Sequence, residues 1–238
     1  MSLYRDEAIV VRTYRLGEAD RIVVLFTKAR GKVRAVAKGV RKTTSRFGAR
    51  LEPTSHVALQ LYEGRHLDTI TQAETLDHFR AIRDDLDRIG RAASILEAVD
   101  QITQEREPNG PLFAMLLGAL RALSADDHPL IVPAFFWKLL ALEGLAPVVD
   151  ACVVCGSEEA LCAFALEDGG LVCTEHRRGV PLPDESIRLL QLILGGRLGV
   201  ALAQPVTPAT TEVEHLATRT LEYHLERRLR SIGVLDRG

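Results

Sequence analysis

The chain has 238 residues, 47% of them hydrophobic and 26% charged, and a formal net charge of -2. This is enough apolar material for a core, which excludes a disordered chain, and the longest apolar runs, such as PLFAMLLGAL, fall far short of the roughly 20 residues of a membrane span. MSLYRDEAIVV carries charges where a signal peptide would carry its apolar region, so a cytoplasmic protein with no membrane partner is expected.

The total charge hides an asymmetry. Residues 1–80 carry +6 and residues 81–238 carry -8. Between Asp20 and Glu52 stand ten basic residues and no acid. Such a split points to a polyanionic partner for the basic part.

Five strands are predicted in the first 76 residues. EAIVVRTYRL is rich in β-branched residues and stops at Gly17. DRIVVLFT is a nearly continuous apolar run, as expected of a strand with little exposed face. KARG supplies a turn, with Gly31 free to take a positive φ. KVRAVAK alternates, with Val33, Ala35 and Ala37 on one face and Lys32, Arg34, Val36 and Lys38 on the other. HVALQLY alternates around Val57, Leu59 and Leu61, and HLDTITQAE follows a turn at Gly64. The exposed edges of so small an open sheet would be a liability, so a closed OB-type barrel is expected.

Beyond residue 76 the period changes. Phe79, Ile82, Leu86, Ile89, Ala93 and Leu96 recur at helical spacing. LFAMLLGALRAL, VPAFFWKLLALEGL, SIRLLQLILGG and TEVEHLATRTLEYHLERRLRSI are four further helices, with Trp137 in the core of the bundle. The fold class is therefore a multidomain α+β chain. An N-terminal five-stranded OB-fold β-barrel spans 1–76, and an α-helical domain spans 77–238 with a zinc-binding insert at 150–178.

The insert, CVVCGSEEALCAFALEDGGLVCTEH, pairs Cys152 with Cys155 and Cys173 with His176 at the same spacing. Two such knuckles complete a tetrahedral shell, and thiolate with imidazole suits one structural Zn2+. Cys162 lies between the knuckles and reads as a small buried apolar residue, though it is also the alternative to His176 as fourth ligand. Four protein ligands leave no open position for a catalytic water.

Enzyme motifs are missing. There is no G-x-x-x-x-G-K-[ST], G-x-S-x-G or H-E-x-x-H, and the one H-x-E, at His224–Glu226, follows the cysteines where a zinc deaminase would have it before them. The other histidines, His56, His66, His78, His128, His215 and His224, read as surface or capping residues. A non-enzymatic binding protein is expected.

The pieces GEADRIVVLFT, GKVRAVAKGVRK and SRFGARLEP resemble the N-terminal domain of the bacterial RecO family of recombination mediators. The likeness extends through the order of parts: barrel, helices, cysteine cluster, more helices. In that family the cluster is often four cysteines, where this chain has His176 last. The resemblance implies a DNA repair and homologous recombination mediator of the RecF pathway, nucleoid-associated in the cytoplasm. It implies binding to single- and double-stranded DNA and annealing of complementary strands. It also implies partnership with RecR, with the C-terminal tail of single-strand binding protein, and with the RecA-loading complex.

Phosphate contacts are expected from Lys32, Arg34, Lys38, Arg41, Lys42, Arg46 and Arg50, with backbone electrostatics dominant. Phe47 is the best candidate to stack on a base, although a loop anchor packed on the barrel is favoured over that role. The competing reading is a protein-binding OB-fold adaptor that touches no DNA.

Overall fold

The computed structural model describes residues 2–41, 45 and 47–231. It divides into two compact units, one running to Ala125 and taking in Arg230, the other running from Asp126 to Leu229. Among the described residues no helix is long and apolar enough to cross a membrane.

The first unit opens with β1 (Leu3–Leu16), β2 (Asp20–Thr27), β3 (Gly31–Ala37), β4 (His56–Tyr62) and β5 (Asp68–Asp77). They close into a barrel in the order β1-β2-β3-β5-β4, the OB-type arrangement expected. The β3–β5 seam is parallel and short, pairing Ala35 with Asp68 and Val36 with Thr69. The alternating side chains do as their spacing demands. Val10, Val23, Leu25, Ala35, Val57, Leu59, Leu61 and Ile70 fill the interior, and Phe47 and Leu51 join them from the long loop. Each such Val or Leu contributes about 1.5–3 kcal/mol by leaving water.

DRIVVLFT is a nearly continuous apolar run because both of its faces are covered from Val23 onward. Val23 and Leu25 point into the barrel, while Val24 and Phe26 are buried on the outer side. Phe26 meets Phe113 of the following helices, ring centroids 6.1 Å apart. Those helices are α1 (Arg80–Arg83), α2 (Leu86–Ile102) and α3 (Gly110–Ala125). The single helix expected from Phe79 onward is in fact broken. Phe79 takes φ 45° with its N–H on Asp77 Oδ1, and Asp85 caps a new helix by accepting from the Arg88 N–H. The new start rotates the buried face to Ala92, Ile95, Leu96 and Val99, leaving Leu86 82% exposed.

The chain leaving α2 covers the half of β3 that β5 does not reach. Glu105 bridges Lys32, and the Arg106 N–H donates to the Lys32 carbonyl at 2.9 Å. This removes an unpaired edge. It also fixes Gly31, at φ 67°, where a Cβ would lie 1.9 Å from the Glu107 carbonyl oxygen. At the seam, the fully buried Asp68 accepts from the Tyr4 hydroxyl, from Arg106 at 2.8 Å and from the Gly64 N–H at 3.0 Å. Burial and this carboxylate push the Tyr4 hydroxyl well above the usual range. Arg230 returns to the unit: Glu97 accepts its N–H at 3.0 Å, and the Ser231 N–H and hydroxyl at 2.8 and 2.6 Å.

The second unit holds α4 (Ile131–Leu142), a small sheet of β6 (Leu161–Ala165), β7 (Gly170–Cys173) and β8 (Val180–Pro181), then α5 (Asp184–Leu194), α6 (Leu198–Leu202) and α7 (Pro208–Leu225). Trp137 is fully buried, its ring 5.7 Å from Phe164 of β6. Thr207 and Thr210 form a capping box ahead of α7, with Pro208 in its first turn. The helix stops at Glu226, which turns left-handed at φ 52°, short of the length its periodicity suggests.

Candidate nucleic-acid face and metal cluster

The basic run is acid-free in sequence, but its first five cations, Arg21 to Arg34, meet carboxylates in space. Arg21 meets Glu52 at 2.7 Å, Lys28 meets Glu7 at 3.0 Å and Arg34 meets Glu105 at 3.3 Å. Lys32 donates to the Asp100 carbonyl at 2.7 Å and lies 3.4 Å from its carboxylate. Burial pulls the Lys32 ammonium below its ordinary value, against the opposite pull of Glu105.

From Lys38 onward the pattern differs. Lys38 is exposed and pairs with no carboxylate among the described residues. Arg41 is exposed and donates to the Glu18 and Gly17 carbonyls at 2.9 and 3.4 Å, tying the loop to the β1–β2 turn while keeping its charge. Arg50, exposed in the 3-10 turn Gly48–Leu51, donates to the Phe47 carbonyl at 3.3 Å. Lys42 and Arg46 lie outside the described residues. Phe47 is 1% exposed and anchors the loop in the barrel core, so it offers no ring to a base.

Arg12 belongs to this face and carried no signal in the sequence. Simple alternation after AIVV would turn it inward. A bulge between Val10 and Arg12 shifts the register and brings it opposite Val24 on the outer side, where its guanidinium pairs with Asp100. His56 was equally hidden. It is buried, with Nε2 2.8 Å from a Glu7 carboxylate oxygen, a partner 49 residues away. Burial pushes the Glu7 carboxyl up, but hydrogen bonds from Lys28 and His56 outweigh it and hold the group below its ordinary value. His128 does cap, its Nδ1 accepting the Leu130 N–H ahead of α4.

In the second unit the two knuckles converge. The Cys152, Cys155 and Cys173 sulfurs and a His176 nitrogen all lie within 4.8 Å of one another. Cys155 and Cys173 Sγ are 3.9 Å apart, and His176 Nδ1 is 3.4 and 3.9 Å from Cys173 and Cys152 Sγ. A tetrahedron with metal–sulfur bonds of about 2.3 Å and a metal–nitrogen bond of about 2.0 Å has edges of roughly 3.8 and 3.5 Å. The donors therefore fit one metal ion. Cys162 stands outside this donor group and is half-buried, not fully buried as expected, against the apolar cluster of Cys152, Ala163, Ala165, Val172 and Cys173.

Backbone geometry prepares the ligands. Gly156, at φ 74°, lets its N–H return to the Cys152 carbonyl at 2.8 Å, curling the first knuckle. Burial pushes the Cys152 thiol up. Backbone N–H groups of Cys155, Cys173 and Val154 outweigh that effect and bring it to about 6, in favour of the thiolate a metal requires. At Cys155 the Ser157 N–H pulls the thiol down, but burial and the Cys152 and Cys173 thiols outweigh it and hold the group above its ordinary value.

Residues 1–79 match the family described as recombination protein O, N-terminal, and residues 83–232 match recombination protein O, C-terminal. The "DNA repair protein RecO" of a Nocardioides species is 46% identical over 248 residues, covering 99% of this chain and all of that protein. The protein of the same name from Frankia casuarinae is 42% identical over 244 residues, covering both chains completely.

Proposed function

Since the chain belongs to the RecO family, whose members serve DNA repair and recombination, we propose that it is a mediator that brings strands together by holding their phosphates. It binds single- and double-stranded DNA and anneals complementary strands. With RecR it helps load RecA on strands coated by single-strand binding protein. The observation that carries this reading is the basic run of the barrel and its loop, which from Lys38 to Arg50 contains no acid. Two strands repel each other, and a surface that holds both lowers that cost and raises their local concentration.

The barrel, residues 1–76, is the DNA-binding part, and the acidic remainder, 77–238, serves protein partners. Lys38, Arg41, Lys42, Arg46 and Arg50 are the principal phosphate contacts. Lys32 and Arg34 contribute after exchanging Asp100 and Glu105 for phosphate. The metal is one structural zinc held by Cys152, Cys155, Cys173 and His176, and it fixes the fold of the insert without taking part in strand pairing.

The tail of single-strand binding protein, acidic and apolar-ended, calls for apolar walls beside arginine. The α4 helix is poorly suited, since most of its apolar residues are buried. A cavity of about 520 Å³ in the second unit combines Ala165, Leu166, Val180 and Pro181 with Arg178 and Arg219, although Glu167 and Asp168 line it too and Asp168 pairs with Arg178 at 2.6 Å, leaving Arg219 as the cation for the tail.

The test is annealing of complementary strands coated with single-strand binding protein, at low and moderate salt. Acceleration that weakens with salt is expected, and none at either salt rejects the proposal. If about four to six phosphates are neutralised, log affinity for single strands falls with log salt at a slope of roughly -3 to -4. A stable protein partner with no DNA binding would instead favour the adaptor reading.

A further inference from the structure

The outer surface of the barrel has a row that the helices do not cover. The strand pairings set six residues side by side around it. Tyr14 pairs with Ile22, Ile22 with Val36, Val36 with Thr69, Thr69 with Tyr62, and Tyr62 with Leu3. Directly paired residues project from the same side of a sheet. Their chain neighbours Val23, Ala35, Asp68 and Leu61 are buried in the barrel, so this row faces outward. Tyr14 and Tyr62 are each 44% exposed and Leu3 is 51% exposed.

The row has no charged residue, which is unusual for an exposed barrel face, and charges stand on the rows beside it. Arg5, Arg12, Arg34 and Lys38 flank it; Arg12 and Arg34 are paired with Asp100 and Glu105, which phosphate would have to displace, and Asp20, the acid within the flanking rows, accepts the Gly39 N–H at 2.7 Å. The Arg12 guanidinium carbon sits 5.2 Å from the centre of the Tyr14 ring, holding that ring in place from one side. Four strand spacings of about 4.8 Å separate the two tyrosines, roughly 19 Å along the curved surface, room for several nucleotides.

We propose that this belt is a base-stacking track for single-stranded nucleic acid, with Tyr14 and Tyr62 as platforms at its ends and the flanking cations on the phosphates. This rests on the reading of the barrel as the DNA-binding part and adds what it recognises: unpaired bases. A duplex keeps its internal bases stacked on each other and offers backbone and groove edges but no ring faces to such a surface. A single strand offers a π-face at every base, and neutral aromatic platforms flanked by cations hold it without regard to sequence.

The experiment compares the full chain with Tyr14→Ala, Tyr62→Ala, the double alanine variant and the two phenylalanine variants. Three probes of equal length are used: a thymidine oligonucleotide, the same strand with abasic sites, and a duplex. Each alanine change is expected to weaken thymidine-strand binding roughly fivefold or more and to leave duplex binding unchanged. The phenylalanine variants keep parental affinity, since the ring is retained. The parent distinguishes the thymidine from the abasic strand, and the double alanine variant does not. Both tyrosines are exposed, so unchanged thermal unfolding is expected in every variant.

Equal loss on single strand and duplex overturns the proposal. So do alanine variants that bind every probe like the parent, and if those variants also shift the chain to a smaller oligomer, the belt is a contact between copies. A parent that binds neither single strand nor duplex overturns the DNA-binding reading itself.

Discussion

The barrel of the first unit and the small sheet of the second are built from strands of very different length, 7 to 14 residues against 2 to 5. The barrel satisfies most of its backbone from within. It closes on itself, and the segment after α2 covers the part of β3 that the closure misses. The small sheet does not close on itself, the outer edge of β7 is met only by short backbone contacts from Val148 and Val153, and a handful of side chains are buried around Cys152, Ala163 and Val172. The four donors gathered there fit one metal ion, which would substitute for the core that short strands cannot make. Closure is spread over many paired residues, whereas the cluster depends on four particular ones.

That contrast can be broken most forcefully at the metal. Chelation, or Cys152→Ser with Cys155→Ser, should release the insert, because structural zinc contributes on the order of 10 kcal/mol in small metal-dependent folds. Amide exchange should rise sharply across 152–176, and fluorescence of the single tryptophan, Trp137, should report loosening around Phe164, while β2 stays protected. Equal exchange with and without metal would show that the sheet stands unaided. Metal analysis of the purified protein should give about one equivalent of zinc.

Within the barrel, the most sensitive point is the seam. Asp68→Ala removes the acceptor of three hydrogen bonds and leaves the Tyr4 hydroxyl without one of them, at a cost of about 3 kcal/mol. Urea unfolding followed by exchange of β3 and β5 amides measures it, and a cost below about 1 kcal/mol would show that the seam does not depend on this carboxylate. Gly31→Ala should cost about 2 kcal/mol, through the positive φ and the collision with the Glu107 carbonyl. A neutral result by the same measurement would mean that the segment 105–107 gives way easily.

The smallest effect concerns pH. The Glu7 carboxyl lies below its ordinary value when folded, so its contribution is present above the unfolded value, about 4.3, and is lost as pH falls through the folded one. The pair with Lys28 is partly exposed, so less than about 1 kcal/mol is expected. Glu7→Gln should flatten the acid limb of barrel stability relative to the parent. Parallel limbs would remove Glu7 from the account.

What was legible in the sequence was local. Alternation in KVRAVAK and HVALQLY identified the strands and their buried faces, and the knuckle spacing identified the ligands, because each pattern is complete within a few residues. What was not legible depends on distant partners. Leu86 and Ile89 fit a helix face that begins at Phe79, and only the caps at Asp77 and Asp85 show that the helix starts again with another face inward. The acid-free run between Asp20 and Glu52 suggested a wholly available cationic stripe, yet Glu7, Asp100 and Glu105 reach its first half from elsewhere in the chain. The alignment of Tyr14 with Tyr62 needs four successive strand registers, one of them reached through the β1 bulge, and no single segment records it.

The hydrogen bonds from Arg230 and Ser231 to Glu97 have a consequence for the order of synthesis. The barrel and its three helices leave the ribosome first, with a carboxylate that lacks these donors until about a hundred more residues have been added. Everything from Asp126 to Leu229 is therefore a parenthesis opened and closed within one folding unit. A chain arrested before residue 230 would carry an assembled barrel but an unfinished first unit, its Glu97 carboxylate short of three donors.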